Sequence, residues 1–255
     1  LTPLFAVPKT RLDLLLVARG LAPTRERARA RVLAGDVLVN GAPVVKAGTA
    51  VPDDAEIALR QPDHPWVGRG GLKLDHALRA FDLDVAGRVA LDIGASTGGF
   101  THVLLERGAR RVVALDVGSG QLDWRLRSDP RVVCLEGLNA RHLTPDQLPA
   151  DLRTFDLVTI DVSFISLALI LPVVPPVLAP DGRVVALVKP QFEAGRDEIG
   201  PGGIIRDPKV QARVVEAVAE RALQIGLTRL AVEPSPITGA EGNREFLMLL
   251  GHTAR

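Results

Sequence analysis

One stretch constrains the fold of this chain more than any other. Arg88-Val89-Ala90-Leu91-Asp92-Ile93 is a short apolar run of the kind a buried parallel strand requires. It passes directly into Gly94-Ala95-Ser96-Thr97-Gly98-Gly99-Phe100 and then into a helical stretch over 101–107. Strand, glycine loop and helix in that order open an α/β sheet, and glycine there allows the close backbone approach and positive φ that side chains forbid. A cofactor is therefore expected against Gly94, Ala95, Ser96, Thr97, Gly98, Gly99 and Phe100. A second apolar run, Val112-Val113-Ala114-Leu115, ends on Asp116 and Val117. An acidic residue about twenty positions after the loop accepts hydrogen bonds from ribose hydroxyls, so the cofactor carries a ribose. The dinucleotide pattern G-x-G-x-x-G fails, because Ser96 stands where its second glycine belongs; what remains is D-x-G-x-x-x-G from Asp92 to Gly98.

Further apolar runs extend the sheet. One covers 131–135 and leads to Gly137-Leu138-Asn139-Ala140. Two more, over 155–160 and 183–188, read as strands four and five and end on Asp161 and Lys189. Charged residues at the C-terminal ends of parallel strands face the crevice where ligands bind. A last hairpin pairs 228–232 with 244–250, and Glu245 opens its final strand. Upstream, 72–81 reads as a helix with Leu74, Ala77, Leu78 and Phe81 as its apolar stripe. Lys73 in its first turn is expected to project away from the core, and Trp66 reads as a packing anchor. The 195–206 connection, rich in glycine and charge, is either a lid or an irregular link.

The D-x-G-x-x-x-G form resembles the S-adenosylmethionine-dependent methyltransferases. The resemblance implies S-adenosylmethionine as cofactor and a Rossmann-like, mostly parallel seven-stranded sheet with an antiparallel last strand. Cofactor contacts are then expected from Asp92, the 94–100 loop, Asp116, Val117, Asn139 at the adenine, and Asp161. Lys73, Asp161, Lys189 and Glu245 resemble, in type and order, the Lys-Asp-Lys-Glu tetrad of ribose 2′-O-methyltransferases of the FtsJ type. The residue types suit the chemistry: a ribose hydroxyl is a poor nucleophile, so a base must take its proton while the oxygen attacks the methyl in line. Lys189 is the candidate base, with Asp161 and Glu245 as groups that orient it and Lys73 as its neighbour. In place of the Asn/Asp-Pro-Pro-aromatic motif of base-amino methyltransferases stands Asp161-Val162-Ser163-Phe164. The single cysteine, Cys134, falls within the third strand, away from where the cysteine nucleophile of a cytosine-C5 methyltransferase would be needed.

The first sixty residues are of another kind. Between Lys9 and Arg31, the bases Lys9, Arg11, Arg19, Arg25, Arg27, Arg29 and Arg31 are opposed only by Asp13 and Glu26. Leu12, Leu15 and Leu16, then Ala28, Val32 and Leu33, recur at helical spacing on either side of Gly20-Leu21-Ala22-Pro23, which predicts two short helices with Thr24 capping the second. Asn40-Gly41 between Val37-Leu38-Val39 and Pro43-Val44-Val45 predicts a hairpin. Arg11-Leu12-Asp13, Gly20-Leu21-Ala22, Thr24-Arg25, Ala28, Gly35-Asp36-Val37, Val39-Asn40-Gly41 and Lys46 resemble the RNA-binding domain of ribosomal-protein-S-four type. By that resemblance Arg11, Arg25, Arg29 and Lys46 contact phosphates, giving affinity through counterion release and recognition of shape. The whole-chain charge of +1 does not bear on this, since distribution decides it.

Taken together, these blocks with Trp66-Val67-x-Arg69-Gly70-Gly71-x-Lys73-Leu74 and Lys189-Pro190-Gln191-Phe192-Glu193 resemble the TlyA family, also labelled hemolysin A. The pattern departs at His64-Pro65, where the family often carries an arginine two places before the tryptophan. The expected organisation is a tail at 1–8, an RNA-binding domain at 9–62, a linker at 63–71 marked by the polar, proline-rich break at 61–65, and a methyltransferase domain at 72–255. The resemblance implies methyl transfer to a ribose 2′-hydroxyl of ribosomal RNA, on cytidine of 16S, 23S or both, with ribosomal subunits as partners and no metal. Two other classes compete: a non-catalytic ribosome assembly factor and a pore-forming hemolysin. Against the second, the first residues lack a secretory pattern, and the longest apolar stretch, 167–179, is interrupted by Pro172, Pro175 and Pro176 and is too short to span a bilayer. A cytoplasmic location without a membrane partner is expected.

Overall fold

The computed structural model describes residues 7–33, 35–59, 64–239 and 241–253. The chain divides into two compact units between Pro65 and Trp66. Of the polar break at 61–65, only His64 and Pro65 are among the described residues.

The first unit runs β1 (Lys9–Arg11), α1 (Leu12–Ala18), α2 (Arg25–Leu33), β2 (Val37–Val39), β3 (Ala42–Pro43), β4 (Ala50–Pro52) and β5 (Ile57–Leu59). Leu12, Leu15 and Leu16 of α1 meet Ala28 and Val32 of α2 over Val37, Val39 and Val51, the small core that helical spacing predicts. Leu33, read on the same stripe, is exposed instead. Thr24 Oγ1 accepts from Arg27 N at 3.2 Å, as a cap should. Asn40 (φ 50°) and Gly41 (φ 78°) both lie in the left-handed region, and Val39 pairs with Ala42 across them. That is the two-residue hairpin turn whose twist suits the strands. The β1–β4 ribbon and the β2–β5 pairing are not expected from sequence, because three-residue strands are too short to show alternation.

The second unit contains α3 (Gly70–Ala80), β6 (Val89–Ile93), α4 (Gly99–Glu106), β7 (Arg111–Asp116), α5 (Trp124–Arg127), β8 (Val132–Glu136), β9 (Phe155–Ile160), β10 (Leu178–Val188), α6 (Pro190–Glu193), α7 (Pro208–Gln224), β11 (Leu227–Pro234) and β12 (Phe246–His252). They form a seven-stranded sheet in the order β11-β12-β10-β9-β6-β7-β8, in which β12 runs antiparallel to both neighbours and the rest are parallel. The central strands are buried on both faces, which is why they read as unbroken apolar runs. Apolar clusters cover the two faces: Leu74, Leu78, Val103 and Leu104 of α3 and α4 on one, Val214, Val218 and the proline-rich 167–177 turns on the other.

From β6 the chain moves outward through β7 and β8, then returns to place β9 on the other side. The order therefore reverses between β6 and β9, and a crevice opens beyond their C-terminal ends. Asp161 N donates to Ile93 O at 2.9 Å and closes the floor of that crevice. Helix α3 begins at Gly70, two residues before the expected start, and Trp66–Gly71 falls in this unit. The Trp66 ring lies where a Cβ at Gly71 would be, 2.3 Å from its Cγ, and meets His102 edge-on at 5.5 Å. No helix among the described residues is long and apolar enough to cross a membrane.

Candidate active site

The glycine loop takes its shape from three backbone demands. Gly94 has φ 85°, and a Cβ there would stand 2.4 Å from Asp161 O. Gly98 has φ 96°, and its Cβ would overlap Leu126. A Cβ on Gly99 would press on the backbone of Gly68–Gly71, so the start of α4 can sit against the start of α3 only without one. Ser96, where a dinucleotide loop has glycine, also adopts positive φ, at 49°. Ala95 is buried while Ser96 and Thr97 are exposed.

Asp116 Oδ2 accepts from Ser96 N at 2.8 Å and Oδ1 from Gly118 N at 2.7 Å. A carboxylate has about four acceptor positions, so two remain for a ligand hydroxyl. Glu136 supports the same wall: its carboxylate accepts from Gly120, Gln121 and Leu122 backbone amides and pairs with Arg127, which with those amides holds its pKa down to about 2. Asn139 Oδ1 caps the next turn through Arg141 N at 3.0 Å, leaving its amide nitrogen as a donor. Val117 is exposed beside them.

Asp92 is placed differently from the other loop candidates. Its side chain is wholly buried below the loop, where Thr101 Oγ1 and Thr159 Oγ1 donate to it at 2.7 and 2.9 Å. Burial, offset in part by those two hydroxyls, raises its pKa to about 6. It ties β6 to α4 and β9 and does not line the crevice.

Two cavities occupy the crevice. The larger, about 470 Å³, is lined by Gly94, Ser96, Asp116, Val117, Gln121 and Asn139 and walled by Val162, Phe164, Ile165 and Ile170. The smaller, about 190 Å³, reaches Gly70, Phe100 and Lys189. They share Gly94, Ser96, Asp161 and Ser163.

At that seam Lys189 Nζ lies 2.6 Å from Asp161 Oδ1 and donates to Ser163 Oγ at 2.9 Å. Lys73 Nζ lies 2.5 Å from Glu245 Oε2. The antiparallel register Val188↔Phe246 puts Lys189 beside Glu245 at the strand ends. The tetrad is thus assembled as two ion pairs, and Glu245 holds Lys73 rather than Lys189. Lys73 itself is only 8 % exposed, contrary to the expectation that it leaves the core. Helical spacing showed the stripe of α3 but not the strand end that lies over its first turn. Glu245 stands just before β12 rather than inside it, with Gly239 against its Oε1.

Sequence reasoning missed Ser163 and Glu193. Ser163 was visible only as part of the string after Asp161. Glu193 accepts from Ser166 Oγ at 2.6 Å and Leu167 N at 2.7 Å, fastening the 162–166 loop to α6, and burial pushes its pKa up. Above the seam Phe164, 89 % exposed with φ 63°, tilts against Phe192 at 5.2 Å. Cys134 lies in the edge strand β8, outside both cavities. Among the described residues no group of three or more His, Cys, Asp or Glu is placed to hold a metal ion.

In the first unit, Arg11 donates through Nε and Nη2 to the buried Asp13 at 3.0 and 2.9 Å, and Arg25 Nε reaches the same carboxylate at 3.0 Å. These two guanidiniums hold the Asp13 pKa well below the usual carboxylate range. Lys46 and Arg29 are exposed; Lys46 immediately precedes Ala47, whose carbonyl accepts from Asp13 N at 3.0 Å. Other bases of the stretch serve the fold: Arg19 donates to Ala55 O at 2.7 Å, and Arg31 is buried.

The pattern of FtsJ-like methyltransferases matches residues 66–252, nearly all of the second unit. The chain belongs to the FtsJ-like methyltransferase family. An S4 domain pattern matches residues 10–57. Within the FtsJ-like family the chain falls with the TlyA and hemolysin A proteins. It is 50 % identical over 95 % of its length to the Mycobacterium tuberculosis 16S/23S rRNA (cytidine-2′-O)-methyltransferase TlyA, covering 90 % of that protein. It is 38 % identical over 93 % of its length to Hemolysin A of Brachyspira hyodysenteriae, covering 98 % of it. A solved structure from Streptococcus thermophilus that carries a hemolysin label aligns with a TM-score of 0.76 and 46 % identity, over 97 % of this chain and 90 % of that one.

Proposed function

We propose that the chain is an S-adenosylmethionine-dependent methyltransferase that modifies a ribose 2′-hydroxyl of ribosomal RNA. The M. tuberculosis relative carries that activity in its name, on cytidine of 16S and 23S RNA, and the same substrate is proposed here. The observation that carries the reading is the Lys189–Asp161 pair at the seam of the two cavities.

The larger cavity fits the cofactor. Its volume of about 470 Å³ admits a nucleoside with a short chain, and it has acceptors at Asp116, a donor at Asn139 and apolar walls at Val162, Ile165 and Ile170. Gly94, Ser96 and Asp161 line both cavities, and Thr97 and Gly99 line the smaller one. When bound, S-adenosylmethionine supplies an electrophilic methyl on a positively charged sulfur. The residues of the smaller cavity do the rest. With two N–H directions of Lys189 taken by Asp161 and Ser163, the remaining direction of Nζ is left for the substrate hydroxyl, as a lone pair when the amine is neutral. Lys189 Nζ takes the 2′-hydroxyl proton, Asp161 holds Nζ in place, and the Lys73–Glu245 pair fixes the strand end beside it. In the first unit Arg11, Arg25, Arg29 and Lys46 meet RNA phosphates.

Incubating the protein with methyl-labelled S-adenosylmethionine and separated ribosomal subunits, then mapping the label, tests this. Label on a ribose 2′-oxygen is expected, and none with Lys189→Ala. Label on a base, or no label with either subunit, overturns the reading.

A further inference from the structure

Several arginines of the second unit lie on carboxylates: Arg107 on Asp75, Arg127 on Glu136, Arg131 on Asp129, Arg213 on Glu198 and Arg229 on Glu216. Arg206 and Arg244 do not. Both are exposed, and among the described residues neither makes an ion pair or hydrogen bond. Acidic neighbours are at hand, since Asp207 and Glu241 are close in sequence. Asp207, however, caps α7 through Lys209 N at 2.8 Å, and the Glu241 carboxylate is turned toward Gly203.

The two arginines line one cleft of about 430 Å³, with Ile204, Ile205, Pro208, Gln211 and Gly242. Its walls are held by buried amides. Asn243, 1 % exposed, accepts from Ile205 N at 2.9 Å and donates to Gly203 O at 2.8 Å; Gln211, 5 % exposed, donates to Ile205 O at 2.8 Å. Both backbone groups of Ile205 are thus fixed, and with them the backbone that leads into Arg206 beside Asn243 and Arg244. An exposed connection does not need this rigidity for stability alone, whereas a two-guanidinium fork does. The place is also telling. Arg244 directly precedes Glu245, so consecutive residues turn to opposite sides at the entry to β12: Glu245 inward to Lys73, Arg244 outward to the cleft.

We propose that the Arg206–Arg244 cleft binds a backbone phosphodiester of the substrate RNA next to the target nucleotide, and so sets which ribose reaches Lys189. This rests on the reading of the site as a ribose methyltransferase. Two guanidiniums without countercharge, carried on a fixed backbone, suit one phosphate, and contacts to phosphate set register without reading sequence.

The test uses the full-length chain, an Arg206→Ala/Arg244→Ala variant, and an Arg88→Ala/Arg110→Ala control that removes the same charge at the opposite, N-terminal ends of β6 and β7. The probe is a ribosomal RNA transcript, with affinity read across a salt series and methyl transfer read as KM and kcat. For the cleft variant the KM for RNA rises roughly tenfold and the salt slope of log K falls by roughly 0.8, as for one phosphate no longer neutralised, while kcat and cofactor affinity hold. The control changes neither KM nor kcat. An unaltered KM and slope in the cleft variant, or a change equal to the control's, overturns the proposal. Absence of methyl transfer by the unmodified protein defeats the ribose reading instead, and the salt slope still decides whether the cleft holds phosphate.

Discussion

In the first unit one buried carboxylate, Asp13, holds two guanidiniums whose side chains stay about half exposed; in the second, two buried ammoniums, Lys73 and Lys189, are each held by a carboxylate. The ion-pair chemistry is the same and the geometry is inverted. Where the anion is buried and the cations face outward, the cluster keeps a net positive charge that a polyanion can use, and water screens each contact. Where the cation is buried, every charge is neutralised inside the protein and little is left to attract RNA. What is gained is a nitrogen fixed to within a hydrogen bond of a cavity. The first arrangement suits recognition and the second suits proton transfer.

The sharpest way to break this contrast is Lys189→Ala. A positioned general base contributes about 10²- to 10⁴-fold. Single-turnover methyl transfer is expected to fall by that order, with cofactor affinity by calorimetry unchanged; near-normal turnover would mean that the buried pair is structural. Glu245→Ala comes next, because it leaves Lys73 buried without its anion. Loss of one partner of a buried pair costs about 3 kcal/mol, which chemical denaturation of the second unit should show together with reduced turnover. A stable, active variant would place Lys73 in water rather than in the core. For the first unit, Arg11→Lys/Arg25→Lys retains charge and removes the fork on Asp13. RNA affinity is expected to drop roughly tenfold with the fold intact by circular dichroism; equal affinity would reduce the cluster to bulk charge.

The smallest effect concerns Asp92. Its folded pKa, about 6, lies above the ordinary unfolded value, so between pH 4 and 6 the folded state binds more proton than the unfolded one. This carboxyl therefore weakens the fold above pH 6 and ceases to do so as pH falls toward 4. The melting temperature of Asp92→Asn relative to the unmodified protein should be highest above pH 6 and decline as the pH is lowered to 5. A difference independent of pH would show that the two threonine hydroxyls fully compensate its burial.

Much of this was legible beforehand. The 88–116 block carries its own periodicity and its own glycines, so the strand, loop, helix and terminal Asp116 were readable, as was the Asn40-Gly41 turn. Short strands such as β1, β4 and β5 were not, since their pairing depends on residues forty positions away. The tetrad was readable as four residue types in order, through family likeness. Its pairing was not, and neither was the burial of Lys73, nor the retreat of Asp92 from the loop to Thr101 and Thr159. Of the seven bases between Lys9 and Arg31, sequence could not separate Arg19 and Arg31, which serve the fold, from Arg11 and Arg25, which point outward from Asp13.

The division follows from the range of the forces. Periodicity, turn geometry and glycine conformations act between near neighbours, so the sequence alone determined the elements, their order and the expected crevice beyond β6 and β9. Which carboxylate meets which lysine, which arginine stays free, and which acid is buried depend on chain segments brought together from as far apart as Lys73 and Glu245. Only the tertiary structure decided those, because desolvation and ion pairing act across a few ångströms of space whatever the separation along the chain.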